Sequence, residues 1–134
     1  MTTAAGLQVL INAPFDVALD RLRLALQANG FGVLTEIDIQ ATLRAKLNED
    51  FYPYRLLGVC YPALAYRVLE IDPSLGVFLP CTIAVYDTGA GTEVHTQDLA
   101  IALTANSSVE LAALSEQVRA LLAEVLATLG TRAE

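Results

Sequence analysis

Basic side chains are scarce in this chain. Its 134 residues carry 8 Lys and Arg against 15 Asp and Glu, so the net charge is −7, and Lys46 is the single lysine. Nonspecific affinity for nucleic acid depends on clustered Lys and Arg, as does attraction to anionic membrane surfaces, and the sequence contains no such cluster. We therefore expect that neither nucleic acid nor a membrane is a partner of this protein.

Long apolar runs are missing as well. No run approaches the ~18 residues that a membrane-spanning helix needs, and the first residues lack the basic and apolar regions of a secretory signal. We therefore expect a cytoplasmic protein, in which the two cysteines, Cys60 and Cys81, stay reduced. The length suits a single domain over residues 1–134, which folds without the help of a disulfide or a metal.

Metal-binding and catalytic patterns are weak in this sequence. With one His and no Cys-x-x-Cys spacing, a zinc site would need the fold to bring Cys60, Cys81 and His95 together, and we predict no metal. No Gly-rich loop precedes a helix as a phosphate site requires, and no Ser-His-Asp arrangement is detectable. His95 shares its alternation with Glu93 and Gln97, which indicates a solvated strand face.

Hydrophobic periodicity predicts strands that alternate with helices. Pro14 opens the first helix and Asn29-Gly30 ends it, Asp38 caps a short second helix, and Pro62 opens a third. A capping box at Ser107 starts the long last helix, in which a stripe of leucines and valines ends at Gly130. The predicted strands are 7–11, 31–37, 54–60, 77–86 and 92–98.

This order predicts an α+β fold with a mostly antiparallel sheet. The last two strands form a hairpin around 87–91, and we expect the two long helices, first and last, to pack on one face of the sheet. The short helices, a second subunit or a ligand must then cover the other face. Pro80 within a predicted strand favours an edge position or a bulge.

Three segments of the sequence resemble a known family. They are GFGVLTEID at 30–38, LGVCYPALA at 57–65 and GVFLPCTIAVY at 76–86. Together they resemble domain-of-unknown-function family 302, a group of small bacterial and archaeal proteins, over about residues 7–129. The resemblance implies a β-α-β(4)-α fold with a shape like that of the TATA-binding protein, commonly dimeric, and it implies no activity. The chain departs from the family pattern at Tyr61, where Asn is usual, and at Asp98-Leu99, where many members have Asp-Pro.

A candidate ligand pocket lies around the two cysteines. Cys60 ends a predicted strand just before the helix that Pro62 opens, and a helix N-terminus lowers the pKa of a nearby thiol. Cys81 flanks the same pocket if the two strands are neighbours. Aromatic residues with polar tips suit a ligand cleft, and an Arg can hold an anion. The candidate pocket residues are Cys60, Cys81, Tyr61, Arg55 and Tyr54.

Three functions are compatible with these features. The first is a small-ligand binding module with its pocket near Cys60 and Cys81. The second is a thiol-dependent enzyme or redox sensor that uses Cys60, although buried cysteines also act as plain small apolar residues. The third is a dimeric interaction protein without a small-molecule site. Apolar residues make up 54% of the chain, and because permanent homodimer interfaces resemble a protein core, we expect a homodimer. The sequence names no ligand, cofactor or substrate.

Overall fold

A computed structural model of the chain describes residues 2–3, 6–98 and 108–130. Within them, six strands form one sheet in the order β1-β2-β6-β5-β4-β3, and every neighbouring pair is antiparallel. The fold is α+β, as predicted. The strands are β1 (Thr2–Thr3), β2 (Gly6–Ile11), β3 (Gly32–Asp38), β4 (Tyr54–Cys60), β5 (Cys81–Asp87) and β6 (Thr92–Gln97).

Four α-helices and one 3-10 helix accompany the sheet in the described residues. They are α1 (Phe15–Ala28), α2 (Ile39–Leu47), α3 (Pro62–Ile71), the 3-10 helix (Pro73–Phe78) and α4 (Val109–Ala127). None of these described helices combines the length and the apolarity that crossing a membrane requires.

The two long helices, α1 and α4, pack on the same face of the sheet. Leu22 of α1 and Leu122 of α4 are fully buried in one core, where they meet Val9, Ile83 and other inward side chains of the strands. We refer to this side of the sheet as the core face. The predicted placement of the first and last helices is confirmed.

The ends of α1 and α4 are fixed by local hydrogen bonds. Gly30, at φ 87°, follows α1, and the Phe31 N–H donates to the Leu26 carbonyl at 2.9 Å, so that a left-handed residue closes the helix. At the start of α4, the Ser108 hydroxyl accepts from the Leu111 N–H at 3.2 Å. The cap is thus one residue later than predicted, and Ser107 lies outside the described residues.

The opposite side of the sheet, which we call the outer face, is not buried beneath the short helices. Helix α3 contributes Val68 to the core, and none of the residues of α2 is buried. Outward side chains of the central strands, such as Leu10, Leu56 and Ala84, are half-buried. The sheet therefore has one closed face and one face that the described helices leave open.

The strand predicted over 77–86 is wrong in its first part. Residues 77–78 belong to the 3-10 helix, Val77 is 81% exposed, and β5 begins only at Cys81. Because proline lacks an N–H for the sheet, Pro80 precedes the strand. The predicted edge position is also wrong, since β5 lies between β4 and β6.

The predicted buried stripes of two helices need correction. On α3, helical spacing predicts a buried side made of Leu64, Ala65, Val68, Leu69 and Ile71, but Leu69 is 40% exposed. The stripe predicted for the last helix includes Leu121 and Leu129. Leu121 is only partly buried and Leu129 lies beyond the end of α4, whereas Leu122 and Leu126 lie in the core. The helix therefore presents a slightly different side to the sheet than the stripe indicated.

Candidate functional site

The two cysteines lie beside one cavity. Strands β4 and β5 pair with Val59 opposite Cys81, so Cys60, the next residue, ends β4 at the same place. Cys60, Cys81 and Tyr61 line this cavity together with apolar side chains such as Leu64. Its volume is about 10 Å³, which is room for one water molecule at most. We call it the cysteine cavity.

Burial favours the protonated form of both cysteine thiols. Burial raises the pKa of the Cys60 thiol. Burial, and then the nearby charge of Cys60, raises the pKa of Cys81 to about 11. The expectation that the pKa of Cys60 is lowered is wrong in direction, because burial disfavours the charged thiolate.

Arg55 lies away from the cysteine cavity, near the start of β4. Its guanidinium contacts Glu36 at 3.3 Å and Asp38 at 3.4 Å. Glu36 also accepts two hydrogen bonds of 2.7 Å from Arg23, which lower the pKa of this carboxyl. The charge of Arg55 is thus already balanced by carboxylates.

Tyr54 belongs to a different group, on the outer face. The register sets Tyr54 opposite Tyr86 and Tyr86 opposite Glu93, while His95 lies two residues after Glu93 and therefore on the same face. These four residues, Tyr54, Tyr86, Glu93 and His95, form what we call the outer-face cluster. It spans three adjacent strands, β4, β5 and β6.

The rings of the outer-face cluster are close to parallel. Tyr54 and Tyr86 have ring centroids 5.2 Å apart and planes 9° apart. For Tyr86 and His95 the values are 5.7 Å and 17°, and the Tyr86 hydroxyl lies 3.1 Å from Nε2 of His95. Phe51 and Tyr52 extend this aromatic surface at the entry to β4, with Tyr52 6.2 Å from Tyr86. The result is a stack of rings that tilted rings join at one end, with polar groups at its margin.

Glu93 is the charged member of the outer-face cluster. Its side chain is 17% exposed, and Oε1 lies 3.8 Å from Nε2 of His95, a contact that is an ion pair only when the imidazole is protonated. The other oxygen, Oε2, is buried and accepts no hydrogen bond from the residues that the structure describes. Because buried polar atoms are nearly always paired, this oxygen is a candidate contact for a ligand.

A shallow depression adjoins the cluster. Its volume is about 250 Å³, and Thr82, Ala84, His95 and Gln97 line it. The depression arises because Ala84 is small and lies between the larger Leu56 and His95 in the register. Its margin offers an imidazole, an amide and a hydroxyl, which are able to orient a bound molecule.

Most of the chain matches the model of one protein family. The model of the family described as "Domain of unknown function DUF302" matches residues 7–129. The chain belongs to the DUF302 family. A crystal structure of an uncharacterized conserved DUF302 protein from Bacillus stearothermophilus is similar to it, with 26% sequence identity, a TM-score of 0.84, and coverage of 91% of this chain and 95% of that one. No curated protein matches the chain significantly.

In the DUF302 fold, the residues predicted to form one pocket lie at different places. Tyr61 packs edge-on against Phe31, with ring centroids 5.3 Å apart, at the cysteine cavity, whereas Tyr54 lies in the outer-face cluster. His95 lies on the outer face and Cys81 on the core face, so the three-ligand arrangement with Cys60 does not form. In the part of the chain that the structure describes, no three His, Cys, Asp or Glu side chains converge as a metal site would require.

The alternation of Glu93, His95 and Gln97 predicts a solvated strand face, but their side chains are less exposed than that. All three are half-buried, because the neighbouring strands carry large side chains such as Tyr86 beside them. Counting back from the hairpin turn pairs Asp87 with Thr92 and so sets Tyr86 opposite Glu93. This count was available from the sequence and would have identified part of the cluster.

Proposed function

We propose that this protein binds a small organic molecule on the outer face of its sheet, at the outer-face cluster. The observation that carries the proposal is the combination, on one half-buried surface, of near-parallel rings and a carboxylate oxygen without a donor. Ligand sites pair an apolar, aromatic surface with a few polar groups that fix orientation. The adjoining depression of about 250 Å³ is close to the lower end of ligand-pocket sizes, roughly 300 Å³.

The outer face supports this function better than the cysteine cavity. At about 10 Å³, the cavity admits an organic ligand only if side chains such as Leu64 and Val68 move out of the core. Use of Cys60 as a nucleophile also has less support, because its raised pKa lowers the thiolate fraction at neutral pH. A cytoplasmic location remains part of the proposal, since two free cysteines beside one cavity suit a reducing compartment.

Replacing Tyr86 tests the proposed site. Isotope-labelled protein is titrated with a set of flat aromatic compounds, and backbone amide shifts report where each compound binds. We expect shifts at Ala84, His95 and Gln97. We also expect Tyr86→Ala to weaken binding by about tenfold or more, because removal of an aromatic side chain on which a ring stacks costs roughly 1–3 kcal/mol of binding free energy.

Tyr66→Ala is the matched control for that titration. Tyr66 is an exposed tyrosine on α3, and its removal is expected to leave binding unchanged. Equal weakening in both variants, or an absence of amide shifts on the outer face of the wild type, would contradict the proposed site.

We also propose that the protein forms a homodimer. The apolar composition supports this, and large apolar side chains are exposed on neighbouring elements: Tyr66, Leu69, Val77 and Val109. Helix α3, which carries the first two, adjoins the start of α4 through an Arg67–Glu110 ion pair of 3.3 Å. We propose that these side chains form one apolar surface in the dimer.

Sedimentation velocity at micromolar concentration tests the dimer. We expect about twice the mass of one chain, and we expect Val77→Asp to shift the protein toward monomer because it introduces a charge into that apolar surface. Leu24→Asp, on the exposed side of α1, is the control and is expected to stay dimeric. A wild-type monomer at every concentration would disprove the proposal.

A further inference from the structure

We infer that the ligand of the outer face is a flat organic cation, an aromatic ring that carries an amidinium, guanidinium or ammonium group. Its charged group pairs with Glu93, and its ring lies against the rings of Tyr86 and His95. This inference rests on the proposed function and names the ligand class for the same site.

The charge on the outer face is negative and is not balanced by Lys or Arg. By strand alternation, Glu93 is the one formally charged side chain among the outward residues that the structure describes on β2, β4, β5 and β6. Its single ion-pair contact there is with His95. Removing a carboxylate from water without a cationic partner is unfavourable, so a cation that reaches Glu93 gains more than it would from an exposed acid.

Glu36, in the same sheet, is an acid whose charge is balanced by arginines. It accepts two hydrogen bonds from Arg23 and contacts Arg55, and these cations lower the pKa of its carboxyl. Glu93 has no counterpart to either arginine in the described part of the fold, and its Oε2 lacks any donor. Thr96 Oγ1 is also buried without a partner among the described residues, but it is a neutral hydroxyl on the core face and does not favour a charged ligand.

The neighbours of Glu93 explain both the burial and the preference for a flat molecule. Leu10 on β2 and Tyr86 on β5 lie opposite it in the register and shield the carboxylate in part, while the side chain keeps 17% exposure through which a ligand can reach it. The rings of Tyr54, Tyr86 and His95 stack on one another in that order, so a flat molecule can pack at the end of the stack. An aromatic face attracts cations, so the end of the stack and the carboxylate favour the same charge. An anionic ligand is disfavoured by both.

The test compares benzamidinium with benzamide, a neutral molecule of nearly the same shape. Amide-shift titrations of the full chain are run at neutral pH and low salt, on the wild type, on Glu93→Gln and on Glu110→Gln. We expect the wild type to bind benzamidinium at least about tenfold more tightly than benzamide, because a hydrogen bond between two charged groups is stronger than one that involves a neutral amide. Glu93→Gln should reduce this preference to within about twofold. Glu110→Gln removes an exposed acid elsewhere and should keep the preference.

The outcomes separate the ligand class from the proposed function. Equal binding of benzamidinium and benzamide at the outer face of the wild type overturns the cation assignment while binding itself stands. A preference for benzamidinium that survives in Glu93→Gln overturns the role of Glu93. If neither probe nor any flat aromatic compound shifts outer-face amides, the proposed function and the inference fall together. A well-dispersed spectrum of Glu93→Gln confirms that the variant is folded.

Discussion

Replacing Leu26 with Ala is expected to lower the free energy of unfolding by about 2–5 kcal/mol. Leu26 is fully buried near the end of α1, in the core between the helices and the sheet. Its truncation removes apolar contacts and leaves a cavity, because close-packed neighbours relax only partly.

Leu24→Ala is the matched control, since it makes the same chemical change two positions away on the same helix. Leu24 is 66% exposed, and surface substitutions usually change stability by less than ~0.5 kcal/mol. Urea titration of the three proteins measures both effects. Similar losses in the two variants would show that α1 does not present the described side to the core.

The second large effect is expected at alkaline pH and comes from Cys81. Burial holds its pKa at about 11, against an ordinary value of 9.0. In the unfolded chain the thiol ionises near its ordinary pKa, whereas the native state keeps the proton until about pH 11. The contribution to stability is therefore complete below pH 9 and is lost as the pH rises toward 11. The pKa difference corresponds to about 2–3 kcal/mol.

Comparison with Cys81→Ala isolates this ionisation from that of other groups. Free energies of unfolding at pH 8 and pH 11 should decrease by about 2–3 kcal/mol more in the wild type than in Cys81→Ala. Cys60→Ala serves as the control and should retain most of the alkaline loss, since Cys81 stays buried in it. An equal decrease in the wild type and Cys81→Ala would assign the effect to groups other than Cys81.

Local signals in the sequence predicted much of the fold. Strand β4 was predicted with its observed bounds because Pro53 and Pro62 flank an apolar run. The Asp38 cap and the Gly30 helix end were also correct, since each depends on the conformation of one residue. Residues 77–80 were assigned to a strand because a short apolar run does not distinguish a strand from a 3-10 turn.

The candidate site was harder to predict, because it depends on contacts between strands. That Cys60 and Cys81 are neighbours followed from one assumption about strand pairing. The small volume of the cavity beside them did not, because it depends on how Leu64 and Val68 pack. The outer-face cluster joins Tyr54 to His95 across three strands, and this needs the register of β4 with β5 as well as the register of the hairpin.

The most direct measurement of the central claim is the map of amide shifts that benzamidinium produces in the wild-type protein. An outer-face site predicts shifts at Ala84, His95 and Gln97, which surround the depression, and none around Cys60 and Cys81 at the cysteine cavity. Shifts confined to the cysteine cavity, with the outer face unchanged, would contradict the account.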